Sequence, residues 1–165
     1  MNPIRIMPMP GQESVWDYPH PPRVENSIKQ IAVVFNGVVI ARTRRARRVL
    51  ETSHPPVYYI PSEDVQMEHL APSDMTTQCE FRGSSVFRTV AVGDKTAEDA
   101  AWFHPAPAPG YEDIKGYIAF VPGKMDACYV NGEKATPQSG EGNSGWITKD
   151  ILGPFKGDPG TTEWD

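Results

Sequence analysis

The stretch Ile31-Ala-Val-Val-Phe35, Asn36-Gly37, Val38-Val-Ile40 decides the fold. Two β-branched runs flank an Asn-Gly pair, and Asn-Gly takes the positive φ angles that a two-residue β-hairpin turn requires. On its C-terminal side the signal changes. In Ala41–Glu51 the residues Ala46, Val49 and Leu50 recur at helical spacing behind Thr43 as an N-cap, so the pattern favours a short helical turn over a strand. Val57-Tyr-Tyr-Ile60, closed in by Pro55-Pro56 and Pro61, is a short strand whose tyrosines alternate, one into the core and one out. Ser62 and its acidic followers start one helical turn through Leu70. Further extended runs are Gln78–Phe81, Val86–Val92 before a Gly93-Asp94 turn, Gly116–Val121 and Ala127–Val130, with Asn131-Gly132 as a second hairpin signal. Lys95–Trp102 suits a returning strand, although its Ala-Glu-Asp-Ala-Ala core is equally helical.

Seven or eight short strands at close intervals predict a mainly β single domain. Curled antiparallel sheets, in an open barrel or a tent-like two-sheet arrangement, are expected with one or two short helices. The length of 165 residues suits one core. Composition divides the chain into a Pro-rich N-terminal arm (1–22), a β domain (23–136) and a Gly-rich tail (137–165). The arm is expected to wrap over the domain, and Trp146, Ile151, Leu152 and Phe155 to dock the tail onto it.

Composition also sets aside several function classes. A net charge of -5 argues against a duplex nucleic-acid partner, whose binding energy comes largely from neutralised phosphates. Apolar runs fall short of the roughly 20 residues that span a bilayer, and the Pro-rich start does not suit a signal peptide. The expectation is a cytoplasmic protein without a membrane partner, a monomer or weak dimer. Two cysteines, Cys79 and Cys128, are too few for a disulfide scaffold. The phosphate-loop, dinucleotide, nucleophile-elbow and zinc-protease motifs are missing, and the scattered Cys and His residues lack metal-site spacing. No metal site is expected, and no particular cofactor is indicated.

The candidate chemistry lies in three places. Arg42, Arg44, Arg45, Arg47 and Arg48 form a run whose guanidinium groups could fork onto phosphate or carboxylate oxygens, or lie solvated against the many acids. Glu51 could orient His54 as a general base while the Tyr58 or Tyr59 hydroxyl donates to an oxyanion. Cys79 stands near Arg82, which would lower its thiol pKa, and Trp102 and His104 could wall a planar ligand. The catalytic candidates are thus Glu51, His54, Tyr58 and Cys79. The ligand-binding candidates are Arg44, Arg45, Tyr58, Arg82, Trp102 and His104.

Taken in order, Arg44–Pro61 (R-R-x-x-R-V-L-E-T-S-H-P-P-V-Y-Y-I-P), Asp64-Val65, Cys79-x-Phe-Arg-Gly83, Ala100-Ala-Trp102, Gly116–Phe120 and Asp126-Ala-Cys128 resemble a bacterial and fungal family catalogued as domain of unknown function 427. The resemblance covers roughly residues 23–136. It implies a small all-β domain similar to the tent-like sheet pairs of zinc-binding modules, without their cysteine pairs. The family's occasional label, nucleotidyltransferase-like, implies no specific reaction. Its members usually carry Lys at the position of Arg82 and Tyr at that of His104.

Three functions compete. The first is a small-molecule-binding β domain with at most weak enzymatic activity, its pocket formed by His54, Tyr58, Cys79, Arg82 and Trp102. The second is nucleotidyl or phosphoryl transfer, with Arg44, Arg45 and Arg82 on phosphates and Glu51, Asp64 or Asp126 on a divalent metal. The third is a non-catalytic macromolecule-binding module that uses the Arg run and the arm.

Overall fold

The Asn36-Gly37 pair turns the chain with φ of 48° and 75°, and Asn131-Gly132 repeats the turn at 49° and 81°. Both pairs join antiparallel strands in the left-handed conformation Asn and Gly tolerate best, the first between two β-branched runs. The structure is a computed structural model that describes residues 6–79, 82–140 and 144–158. Its strands are β1 (Glu13–Ser14), β2 (Arg23–Asn26), β3 (Ile31–Phe35), β4 (Val38–Thr43), β5 (Arg47–Leu50), β6 (Val57–Tyr59), β7 (Leu70–Cys79) and β8 (Gly83–Val92). They continue with β9 (Lys95–Phe103), β10 (Ala119–Phe120), β11 (Ala127–Val130), β12 (Glu133–Lys134), β13 (Thr136–Pro137), β14 (Trp146–Ile147) and β15 (Ile151–Leu152). The only helical pieces among the described residues are three-residue 3-10 turns.

Two four-stranded antiparallel sheets carry the fold, one ordered β12-β11-β3-β4 and the other β10-β9-β8-β7. A three-stranded sheet, β2-β5-β6, joins the second through Ile60, which exchanges backbone hydrogen bonds with Ile118 at 2.8 and 2.7 Å. Among the described residues no sheet closes into a barrel. The mainly β expectation holds, and the strands number more than seven or eight because many pairings span only two residues.

The expected helical turn in 41–51 does not form. This segment instead supplies the end of β4 and all of β5, because the strand is covered on both faces and a helix would bury only one. Val49 packs with Tyr59, Trp102 and Ile114, while Leu50 packs the other way with Val15, Tyr18 and Ile151. Double coverage also removes the in-and-out alternation expected of the tyrosines. Tyr58 is 2% exposed and lies 4.9 Å from Trp146 in the main core. Tyr59 is 0% exposed in the second cluster.

Other elements differ in length. Ser62–Asp64 and Met67–His69 are two separate 3-10 turns, and β7 already starts at Leu70. Lys95–Phe103 is a strand, its local helical preference overridden by pairing with β8. Within Gly116–Val121 only Ala119–Phe120 is paired as a strand, and Phe81 lies outside the described residues.

The arm and tail meet beside β5. Glu13 and Ser14 pair in parallel with Ile151 and Leu152, and Val15 is 0% exposed. Trp16 donates its Nε1–H to the carbonyl of Pro154 at 2.9 Å, and Trp146 is buried against the main core. Arg48, on β5, is the buried charge of this region. It donates to Glu13 at 2.8 and 3.0 Å and to Glu25 at 2.6 and 2.9 Å. These carboxylates hold its pKa above the usual arginine range although burial acts against the charge. No helix among the described residues is long and apolar enough to cross a membrane.

Candidate functional site

On the far side of β5 and β6, a cavity of about 570 Å³ opens toward the β7-β8-β9 sheet. Its apolar wall is Val49, Val57, Phe87, Trp102 and Val121, and its polar groups include Glu51, His54, Arg82, His104 and Gln138. These residues come from separate segments. Strand alternation explains the wall: Phe87 on β8 is registered opposite Trp102 on β9, and the two rings lie 5.9 Å apart on one face.

The cavity is elongated. Arg82 stands at the hairpin that joins β7 to β8, near His104 just past β9, while Asp99 lies five residues back along β9. At a strand rise of about 3.3 Å per residue these ends are about 16 Å apart. Asp99 has φ of 52° at a register shift between β8 and β9. This bulge re-aims its side chain, which accepts a hydrogen bond from Ser73 and borders the cavity. A bulge with positive φ at an Asp leaves no local signature in the sequence.

His104 is 1% exposed, and its partners determine its tautomer. Nδ1 faces the Ser84 carbonyl at 3.1 Å, which only accepts, so Nδ1 carries the proton. Nε2 therefore accepts from the Tyr59 hydroxyl at 2.9 Å, and that oxygen faces Trp102 Nε1–H at 3.4 Å. The chain Trp102 to Tyr59 to His104 to Ser84 is satisfied with a neutral imidazole. Burial, and then the nearby Arg82 charge, lower the His104 pKa against the opposing Ser84 bond. Ser85 Oγ is 3.4 Å from the same Nδ1, but a protonated Nδ1 cannot act as its base.

His54 is wired differently. The Gln138 side chain accepts from Gly145 N–H at 3.1 Å and donates Nε2–H to the Lys156 carbonyl at 2.9 Å, which fixes its amide orientation. The same Nε2 lies 3.0 Å from His54 Nδ1, which must then accept. Burial lowers the His54 pKa, with Lys156 and Arg82 adding to the effect and Glu51 opposing it. Glu51 does not orient the ring as expected. Its carboxylate lies 3.5 Å from His20 Nδ1, and its contact with His54 is the backbone bond from His54 N–H at 3.0 Å.

Of the sequence candidates, Glu51, His54, Arg82, Trp102 and His104 border this cavity. Tyr58 does not. It lies behind β6 with burial raising its hydroxyl pKa to about 12, so it can neither wall the cavity nor donate to an oxyanion there. Cys79 ends β7 opposite Gly83. Cys128 is a buried thiol, its pKa pushed up to about 12 by burial.

The Arg run disperses. Arg45 pairs with Asp64 at 3.1 Å, Arg44 donates to Gln30 at 3.0 Å, and Arg47 bonds to Asn26 and the Asp113 carbonyl. Arg48 is buried with Glu13 and Glu25. Asp126 accepts from Lys95 at 2.9 Å and from Gly37 N–H at 3.0 Å. Arg44 and Arg45 therefore do not converge with Arg82, and Asp64 and Asp126 do not join Glu51. Among the described residues no three His, Cys, Asp or Glu side chains are grouped to hold a metal.

With this geometry in place, a family model matches residues 23–131. The chain belongs to the family described as domain of unknown function 427. Among curated proteins, none matches the chain. The matched segment supplies β2 through β11 and most of the cavity. Gln138 and Ser144, which complete the cavity wall, lie beyond it, as do Glu13 and Tyr18 of the arm. This domain of unknown function 427 therefore carries a cavity closed partly by sequence outside the family's matched region.

Proposed function

We propose that the protein binds a small molecule with a flat apolar body in the cavity bordered by His54, Arg82, Trp102 and His104. The observation that carries this reading is the convergence of groups from six separate segments on one space of about 570 Å³. That volume lies within the range of small-molecule sites, and the mix of aromatic wall and few polar groups is their usual composition. Phe87 and Trp102 supply faces for a planar ring, and the polar groups set its orientation.

Binding, not acid-base turnover, suits the histidines. Each has one ring nitrogen committed to accept and the other protonated, so neither offers a free base while its partners stay in place.

The test is a thermal-shift screen of fragment-sized aromatic compounds on the full chain, because a ligand at 100 times its Kd stabilises by about 2.7 kcal/mol. Hits should disappear in Thr77→Trp, where an exposed cavity-edge side chain is enlarged to fill the space. They should persist in Arg44→Ala, on the solvated run. A screen without hits, or hits indifferent to Thr77→Trp, would remove the proposal.

A further inference from the structure

The wiring of Gln138 narrows the class of ligand. Its amide is oriented by two backbone partners of opposite kind, an N–H donor at Gly145 and a carbonyl acceptor at Lys156. A flipped amide would set like against like at both. The remaining Gln138 N–H therefore points at His54 Nδ1, and the imidazole proton must reside on Nε2. Gln138 is itself 6% exposed, so water is a poor substitute for these bonds.

The electrostatic setting matters next. Arg82 lies close enough to act on both His54 and His104, and Lys156 acts on His54 as well. Glu51 opposes them at His54 and borders the same cavity, its carboxylate 3.5 Å from His20 Nδ1, while Asp99 lies toward the other end. The His54 end thus combines a neutral N–H donor with a guanidinium. Such a pair suits a planar anion, because guanidinium and imidazole N–H groups both donate and a carboxylate only accepts. Phe87 and Trp102 border the same cavity for the apolar body.

We infer that the ligand is an aromatic carboxylic acid whose carboxylate accepts from His54 Nε2–H beside Arg82, with Gln138 acting as the positioning residue that fixes the His54 tautomer. This rests on the cavity-binding reading above and adds the ligand's class. It also gives the tail a role outside the matched family segment, since removing Gln138 frees the imidazole to choose either tautomer.

The experiment has two arms on the full chain. In the first, long-range ¹H–¹⁵N spectra of labelled protein near neutral pH should show His54 with a bare Nδ1 and a protonated Nε2. Gln138→Glu, which places an acceptor at Nδ1, should move the proton to Nδ1 and leave Nε2 bare. A protonated Nδ1 in the unaltered chain overturns the inference, and this spectrum decides even if Gln138→Glu fails to fold.

In the second arm, calorimetry compares indole-3-acetate, indole-3-acetamide and tryptamine. The acetate should bind about tenfold more tightly than the amide, the amount a charge-assisted pair adds. Tryptamine should be weakest, and Gln138→Glu should erase the preference. Equal affinities, or preference for the amine, overturn the anion class and leave the cavity reading standing. Failure of all three at millimolar concentration, together with a screen without hits, overturns both.

Discussion

Around Arg48, the guanidinium Nε, Nη1 and Nη2 all donate to Glu13 or Glu25 within 2.6 to 3.0 Å, and Tyr18 adds its hydroxyl to Glu13 at 2.7 Å. Around His54, on the other side of the same β5-β6 corner, the polar groups border about 570 Å³ of open space. Both regions bring ionisable groups out of water. In the first the charges answer one another and tie the arm to the body. In the second the histidines are held neutral and the charged side chains surround a volume. A region that satisfies itself has nothing left to offer a ligand, whereas one that spends its bonds on fixing tautomers keeps a donor to present. The same two strands therefore carry a clamp on one side and a receptor on the other.

The sharpest way to break this contrast is Arg48→Ala. Removing the cation leaves Glu13 and Glu25 facing each other, and we expect a loss of about 3 kcal/mol in urea unfolding. That is the lower end for a broken buried pair, because both carboxylates are partly exposed. Arg48→Met should lose clearly less, and equal losses would show that lost packing, not unpaired charge, governs the site.

Tyr59→Phe comes next, at about 2 kcal/mol, because it strips His104 Nε2 and Trp102 Nε1 of a shared buried partner. Tyr58→Phe, one residue away on the opposite face, should cost less than Tyr59→Phe in the same unfolding assay. Gly83→Ala should cost about 1 to 2 kcal/mol and weaken any ligand that needs Arg82. Its φ is +88°, and an added Cβ would meet the Ala106 carbonyl oxygen at 2.9 Å.

The two regions should also separate in pH. His54 and His104 have folded pKa values below the ordinary histidine value of 6.5, so the unfolded chain takes up protons first as pH falls. Their contribution is full above pH 6.5 and is lost as pH drops through the lower folded values, with a limiting slope of about 1.4 kcal/mol per pH unit for each. Glu13 is also depressed, below 4.5; burial opposes this shift but the Arg48 and Tyr18 hydrogen bonds outweigh it. Its contribution is therefore kept above pH 4.5 and lost only below it. Unfolding free energies from pH 8 to 3 should show two successive declines, and His104→Gln should make only the first shallower, leaving the His54 share. The smallest effect is expected from Arg45→Ala, whose pair with Asp64 is at the surface, and ligand affinity should be unchanged.

How far the sequence reading reached depended on whether the signal was local. Asn36-Gly37 and Asn131-Gly132 were legible because a positive-φ turn is a property of two residues. The strand at Val57–Tyr59 was legible because prolines bound it. The segment 41–51 was misread as helical because Ala46, Val49 and Leu50 fit two periods, and only coverage of both faces of β5 selects the strand. For the site, residue chemistry singled out His54, Arg82, Trp102 and His104. It could not show that Tyr58 turns to the main core while Tyr59 bonds His104, nor that Gln138 from the tail reaches His54 across 84 positions.

The amino-acid order alone thus determined the strand-rich class, the hairpin turns and a short roster of reactive side chains, since each follows from backbone preference or functional-group chemistry within a few residues. Only the tertiary structure decided which arginine is sealed in, which faces the cavity and where each imidazole keeps its proton. Those outcomes depend on partners brought together from distant segments, and a hydrogen bond or a desolvated charge has no energy until its partner is in place.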